Sequence, residues 1–369
     1  LRIVPINLPD PALAHHYGNT FDAIRPAIDA DVGSPDVVVF HSEPTYLGRL
    51  VDQVRGLTDR HPRRVLKSVW ETSRLPASWS DTIRAAEIDE VWVPCEHNAK
   101  VFLSALSGKI QASIIPHAHD VGAFPEETTE RSELFVVRSI DGQHYLSPTT
   151  FVFSSVFQWS ARKNPEALLA AYISAFSPED DVVLLIKTFA EDWSNAGTLL
   201  SVQHQVHLSE IFRSALGEIR HSRLPKIMLL LPALEEEYMR ALSPRTDCGV
   251  YSTRGEGWGL PISQTMLAGH PVVTPDWSAP AEYGRGVADL VPGHLSVVRG
   301  MRSPNYTADQ RWFDVDEDAL ARAMRRRFDE QQTGAAMGTA GRTRITRYCA
   351  PDTVGHQMRA LLTDLAGRP

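Results

Sequence analysis

Three cysteines, Cys95, Cys248 and Cys349, stand far apart in 369 residues. That spacing excludes a zinc-ligand framework and a disulfide scaffold, and it favours a reducing cytosol. No apolar run approaches the ~20 residues that span a bilayer, and no signal peptide is visible. Net charge is -8, which argues against a nucleic-acid binder with its basic stripe. One local exception, "RAMRRRF", sets Arg322, Arg325 and Arg326 on one helical face. It reads as a solvated face, and the sharper alternative is a patch for an anionic lipid or phosphate. The dinucleotide and P-loop fingerprints are missing, as is a Gly-x-Ser-x-Gly elbow. The acid runs "DAD" (29–31) and "DVD" (314–316) lie at helix boundaries, where capping accounts for them. The histidines form no i, i+4 pair with a third ligand in reach, so no metal is expected.

What remains is ordinary globular material. Hydrophobic residues make up 43% and charged residues 22%, enough for a real core, and the length suggests two domains. Short, Val- and Ile-rich runs recur with little alternation, as in strands buried on both faces of a parallel sheet. One set is "RIVPI", "DVVVFH" (36–41), "RVLKSVW" (64–70), "EVWVP" (90–94) and "ASIIPH" (112–117). A second is "TFVFSSV" (150–156), "DVVLLIK" (181–187), "KIMLLL" (226–231), "CGVYS" (248–252) and "HPVVTP" (270–275). Helices fill the gaps. In "NPEALLAAYISAF", Asn164 is expected to cap, Pro165 to open the first turn, and Leu168, Ala171, Tyr172 and Ala175 to line the buried face. "DVDEDALARAMRRRF" and "DTVGHQMRALLTDLAGR" read as two more. The polar segment 120–148 is taken as the junction. The expected organisation is an N-terminal domain over 1–148, a second domain over 149–350 and a terminal helix over 351–369. Both domains read as doubly wound α/β units.

The stretch "TRGEGWGLPISQTMLAG" sets Gly255, Gly257 and Gly259 between a strand and a helix, with Glu256 among them. Glycines allow close backbone approach, and a helix N-terminus at the carboxyl end of a strand suits an anion such as a diphosphate. By spacing alone, a plain glycine turn is an equal reading.

Several motifs in order add a resemblance. "EGWGLPISQTMLAGHPVV", "FVFSSVFQWSARKNPEALLAAYISAF", "SVWETSRLPASW", "DEVWVPCEHNAKVF" and "IIPHAHD" resemble glycosyltransferase family 4 over most of residues 64 to 290. The resemblance implies the GT-B fold, two Rossmann-like domains facing a cleft. It implies a retaining glycosyltransferase that needs no metal or other cofactor and uses a nucleotide-sugar, a UDP- or GDP-sugar, as co-substrate. The acceptor would be a hydroxyl of a glycan, a lipid-linked glycan or a small metabolite. By the same resemblance, Glu256 meets hydroxyls of the donor sugar, and Gly255, Gly257, Trp258, Gly259 and Leu260 form the donor loop. Lys163 reaches the diphosphate, and Arg162 takes the role of an arginine whose usual place holds Gln158. Gln264 stands where the family has a ribose-binding glutamate, and its amide loses the charge-assisted bond. Glu71, His117 and His119 are candidates for acceptor or cleft contacts. The terminal helix is implied to cross back to the first domain. Most relatives open on a strand and a glycine loop, which "RIVPINLPD" lacks, so the chain is expected to start after them. The expected setting is the bacterial cytoplasm, with peripheral membrane contact open and no nucleic-acid partner. Two other readings stay open: a non-catalytic nucleotide- or glycan-binding protein on the same scaffold, and a sugar phosphorylase.

Overall fold

A computed structural model describes residues 33–55, 61–106, 110–123, 135–139, 142–190, 224–230 and 245–367. The strand expected at "RIVPI" and the "DAD" run lie outside them.

The first sheet has four parallel strands in sequence order: β1 (Val37–His41), β2 (Arg63–Lys67), β3 (Glu90–Val93) and β4 (Gln111–Ile114). Side-chain alternation divides its residues between two cores. Phe40, Leu66, Val91 and Val93 face helices α1 (Leu47–Arg55), α2 (Ala77–Ala85) and α3 (Glu96–Leu106), where Leu47, Trp79, Ile83 and Phe102 are buried. Val37, Val39, Val65, Trp92 and Ile115 point the other way. They are covered by Val354, Leu362 and Leu365 of the terminal helix α9 (Pro351–Gly367).

The second sheet has eight strands in the order β12-β11-β10-β7-β8-β9-β5-β6. Six are parallel: β7 (Phe151–Trp159), β8 (Val182–Ala190), β9 (Lys226–Leu230), β10 (Cys248–Val250), β11 (Val272–Pro275) and β12 (Asp289–Val291). The chain runs outward from β7 through β8 to β9, then returns to lay β10 on the other side of β7. The order therefore reverses between β7 and β10, and open α/β sheets bind ligands outside the strand ends at such a point. Helices α4 (Pro165–Ala175), α5 (Leu260–Leu267) and α6 (Ser278–Gly284) follow β7, β10 and β11. Strands β5 (Phe135–Ser139) and β6 (Gly142–Leu146) form an antiparallel hairpin at the far edge. Sequence patterning misses this hairpin, which lies in the polar segment taken as a junction. It also misses the antiparallel ribbon β13 (Gly293–Val297) with β14 (Arg311–Val315), where exposed Leu295 and Val297 blur the alternation.

Three local expectations change. Asn164 does not cap α4 with its side chain. It takes a left-handed conformation, φ 54°, to join the tight turn Ala161–Lys163 to the helix, a conformation that asparagine tolerates. Helix α4 is buried nearly all round rather than on one stripe, because Ala167, Leu169 and Ile173 are covered as well. The arginines of α7 (Glu317–Asp329) are not a free patch. Arg325 pairs with Asp180 and Asp329 and lies over the rings of Phe176 and Phe328, and Arg326 pairs with Asp289. Arg322 and Arg326 are both exposed to solvent. The capping reading of "DVD" holds for Asp316, which accepts from the Ala319 amide at 2.7 Å.

All three cysteines are free and buried. No helix among the described residues is long and apolar enough to cross a membrane.

Helix α8 (Gln331–Cys349) crosses the turn after α5 at glycine contact. A methyl group on Gly338 would lie 2.0 Å from the Gly269 carbonyl oxygen, whereas one on Gly355 of α9 meets open space. Gly338→Ala is expected to cost about 1–3 kcal/mol through overpacking. Gly355→Ala is expected to add about 0.4–1 kcal/mol by restricting the unfolded chain. Chemical denaturation of the two variants beside the parent checks both signs.

Candidate functional site

Two loops meet at the switch point. The first leaves β7 and carries Arg162 and Lys163 in its turn. The second leaves β10 and carries Thr253 to Gly259. They are sewn together by the backbone: Arg254 donates its amide to the Arg162 carbonyl at 2.7 Å, and the Ser252 hydroxyl donates to the Asn164 carbonyl at 2.7 Å.

Glu256 lies at the centre and is buried. Its Oε2 accepts from Arg162 Nη1 at 3.1 Å, and its Oε1 accepts from the Thr253 hydroxyl at 2.8 Å and from Lys163 Nζ. Arg162 Nη1 also donates to the Gly255 carbonyl at 2.8 Å. Burial opposes the carboxylate charge, but Lys163 and Arg162 overcome it and hold the Glu256 carboxyl down to about 2. Burial likewise opposes the guanidinium charge, and Glu256 and Glu71 hold Arg162 well above its ordinary value. The carboxylate and the guanidinium are therefore charged at neutral pH.

The cluster still has unused donors. Arg162 Nε is buried without an acceptor among the described residues. The backbone amides of Gly257, Trp258, Gly259 and Leu260, at the start of α5, also find no acceptor among them. A helix N-terminus with free amides beside two cations is a site for an anion. A small recess opens next to it, lined by Lys163, Thr253, Glu256, Pro261, Val156 and Tyr251 among others.

The first sheet closes over this centre. Glu71 Oε1 stands 3.8 Å from Arg162 Nη2, and its Oε2 accepts from the Tyr306 hydroxyl at 3.1 Å. Asn98 is fully buried and bridges the halves, accepting from the Trp70 amide at 2.6 Å and donating to the Gly257 carbonyl at 3.1 Å. Glu282 of α6 accepts the amides of Glu96 and His97 at the start of α3, at 2.9 and 2.6 Å.

Of the residues singled out in the sequence, the structure brings Arg162, Lys163, Glu256, Gly255 and Glu71 into one cluster. Trp258 turns the other way. Its ring is buried against Tyr283 and Tyr348, and its indole donates to the Ser263 hydroxyl at 3.1 Å. Only its backbone faces the site. His119 is buried, with Nε2 2.9 Å from the Ser263 hydroxyl, and burial lowers its pKa, so it serves the packing of α5. His117 lies with its ring 5.9 Å from that of Trp258, on the first-sheet side. Leu260 and Gln264 are exposed on α5. Sequence reading misses Thr253, Asn98 and Tyr306. Asn98 sits inside the quoted "CEHNAKVF", but an asparagine in a helix carries no signal of a partner 159 positions away. Among the described residues, no group of three or more His, Cys, Asp or Glu side chains gathers as a metal site.

No family model matches the chain, and no curated protein matches it in sequence. Solved structures do match in fold. Sucrose-phosphate synthase (tll1590) from Thermosynechococcus elongatus superposes with a TM-score of 0.64 at 15% identity, over 97% of this chain and 80% of that one. Anabaena Alr3699/HepE in complex with UDP and glucose gives 0.59 at 13%, over 97% and 84%. The E. coli trehalose-6-phosphate structure bound with UDP-2-fluoro glucose gives 0.60 at 13%, over 98% and 80%. The two parallel sheets, with the switch-point loops between them, are the GT-B fold.

The Glu256 linkage has a definite sign. Its folded-state value, about 2, lies below the ordinary 4.5. The stability it contributes is full above the unfolded value and is lost as pH falls from there through about 2. Glu256→Gln is expected to cost about 3 kcal/mol at pH 7, because two cations lose their buried partner. It should also flatten the acid limb of the stability profile, which urea titrations from pH 7 to 2 measure.

Proposed function

We propose that the chain is a glycosyltransferase of the family 4 type, transferring a sugar from a UDP-sugar to an acceptor hydroxyl with retention and without a metal. The observation that carries this reading is the switch-point cluster: Arg162 and Lys163 beside the unpartnered amides of residues 257 to 260. The fold supports it, and so do the nucleotides named for two similar structures, UDP with glucose in the Anabaena protein and UDP-2-fluoro glucose in the E. coli one.

In this reading the diphosphate lies at the start of α5, against Lys163 and Arg162. Departure of the nucleoside diphosphate develops negative charge on the leaving oxygen. Two cations and oriented amides, fixed before the reaction, stabilise that charge without reorganising, often the largest single catalytic contribution. Lys163 and Arg162 then exchange part of their bond with Glu256 for the phosphates. Glu256 keeps its charge throughout and faces the electron-poor, oxocarbenium-like sugar. The departing phosphate takes the acceptor proton, and no protein nucleophile is assigned. The acceptor enters from the first-sheet side, past Glu71 and His117. The approach of the two sheets excludes water from the donor. Gln264 lies on the exposed face of α5, where the ribose would run. The three unpaired thiols fit a reducing cytoplasm.

The alternative of a non-catalytic binder draws on one feature, the Glu71 loop already seated on Gly255. Transfer to any hydroxyl acceptor separates the two.

Thermal-shift titration with UDP, GDP, ADP and TDP is expected to single out UDP, with about 2.7 kcal/mol of added stability at 100 times its Kd. Lys163→Ala is expected to lower kcat by about 10²–10³. Wild-type turnover in that variant removes Lys163 from the site, and no shift with any nucleotide removes the donor reading.

A further inference from the structure

The donor site leaves one group of basic residues on the first sheet without a task. Lys67 ends β2, and its register partner is His41, the last residue of β1. Register partners in parallel strands share a face. That face is the one on which Val37, Val39 and Val65 pack against α9, so His41 and Lys67 continue it at the carboxyl end of the sheet. Ile115 packs on the same face, and His117 follows it by two residues and borders Trp258 of the glycine loop. The three basic side chains therefore stand at the strand ends, on the cleft side, where α/β sheets hold ligands.

Of the three, Lys67 carries the charge at neutral pH, since burial and Lys67 lower both histidines. Lys67 is part-buried and makes no ion pair among the described residues. Glu71 is engaged by Tyr306 and lies beside Arg162, while the charged neighbour felt by Glu43 is Glu71. Burial holds Lys67 below its ordinary value, and burial with Lys67 and His41 pushes His117 down to about 4. A part-buried cation without a partner is costly unless a ligand supplies the opposite charge. One ammonium with three donors and two imidazoles with one N–H each can serve the oxygens of a tetrahedral anion.

We propose that Lys67, His41 and His117 bind a phosphate group carried by the acceptor, so that the substrate is a phosphorylated hydroxyl compound. This rests on the transferase reading for the word acceptor, but the anion site itself does not.

The test is calorimetric titration of the full chain with inorganic phosphate, with UDP held at saturation to fill the switch-point site. The wild type is expected to bind phosphate. Lys67→Met and His41→Asn are each expected to weaken it by roughly tenfold or more and to leave the UDP affinity unchanged, which also reports an intact fold. Lys67→Arg is expected to keep binding. Should Lys67→Met misfold, His41→Asn decides in its place. Absence of phosphate binding in the wild type, or binding in the folded variants equal to wild type, overturns the proposal. If UDP does not bind, the donor reading falls, and the phosphate comparison between wild type and variants still tests the cluster. With UDP-glucose as donor, UDP release is expected with hexose monophosphates and not with the free hexoses. The reverse preference overturns the acceptor assignment.

Discussion

Gly255 comes so close to the first domain that a methyl group on it would lie 2.0 Å from the Glu71 carbonyl oxygen, and one on Gly257 would lie 2.7 Å from the Val69 side chain. These are contacts between strand-end loops of two separate sheets, and only glycine permits them. Much else follows from this approach. It puts the Glu71 carboxylate within reach of Arg162, brings the Gly257 carbonyl to Asn98, and seals Glu256 where water cannot shield its charge. Glu256 then needs Lys163 and Arg162, and those two cations need an anion. The glycines thus serve two surfaces at once, the first sheet through their missing side chains and a ligand through their free amides.

The ribbon β13–β14 secures this closure. Its loop reaches across to the first sheet, where the Tyr306 ring packs tilted at 34° against Trp70 with ring centroids 4.9 Å apart. Gln310 accepts from the Thr72 hydroxyl, the Ser73 amide donates to the Arg311 carbonyl at 2.8 Å, and the Arg311 amide donates to the Ser73 hydroxyl at 2.9 Å. Residues 70 to 74 are therefore gripped from one side by the ribbon and from the other by the glycine loop. Any separation of the two sheets at this point has to part an aromatic pair and break several hydrogen bonds together, so the Glu71 position is stiffly held.

The parallel strands are legible in the sequence because a strand buried on both faces has no alternative to a dense Val, Ile and Leu run. Their ends are less so: "RVLKSVW" stops as a strand at Lys67, where Ser68 to Trp70 leave to meet the glycine loop. The ribbon and the edge hairpin are not legible, since one face of each is exposed and their residues are mixed. Among the candidate site residues, Lys163 and Glu256 come from the resemblance, since spacing alone leaves a plain glycine turn equally open. Trp258 shows the limit of that route, since a position in a loop motif does not say which way a ring points. Asn98, Thr253 and Tyr306 depend on contacts made only when distant segments fold together. Cap statistics point Asn164 toward a side-chain cap, whereas the local turn before it requires a left-handed residue instead.

The buried thiols turn this architecture into its own clock. Burial pushes the Cys95 thiol up to about 12, and Cys248 lies well above its ordinary value. Thiolate is the reactive form, so neither reacts while the native contacts last. Cys95 sits at the seam, 3.6 Å from the Gly257 carbonyl, whereas Cys248 lies inside a central strand of the second sheet. Exchange of Cys95 with a disulfide reagent therefore counts partings of the two lobes, and exchange of Cys248 counts only loss of the whole second core. The ratio of the two rates is a direct reading of how often the chain opens without unfolding.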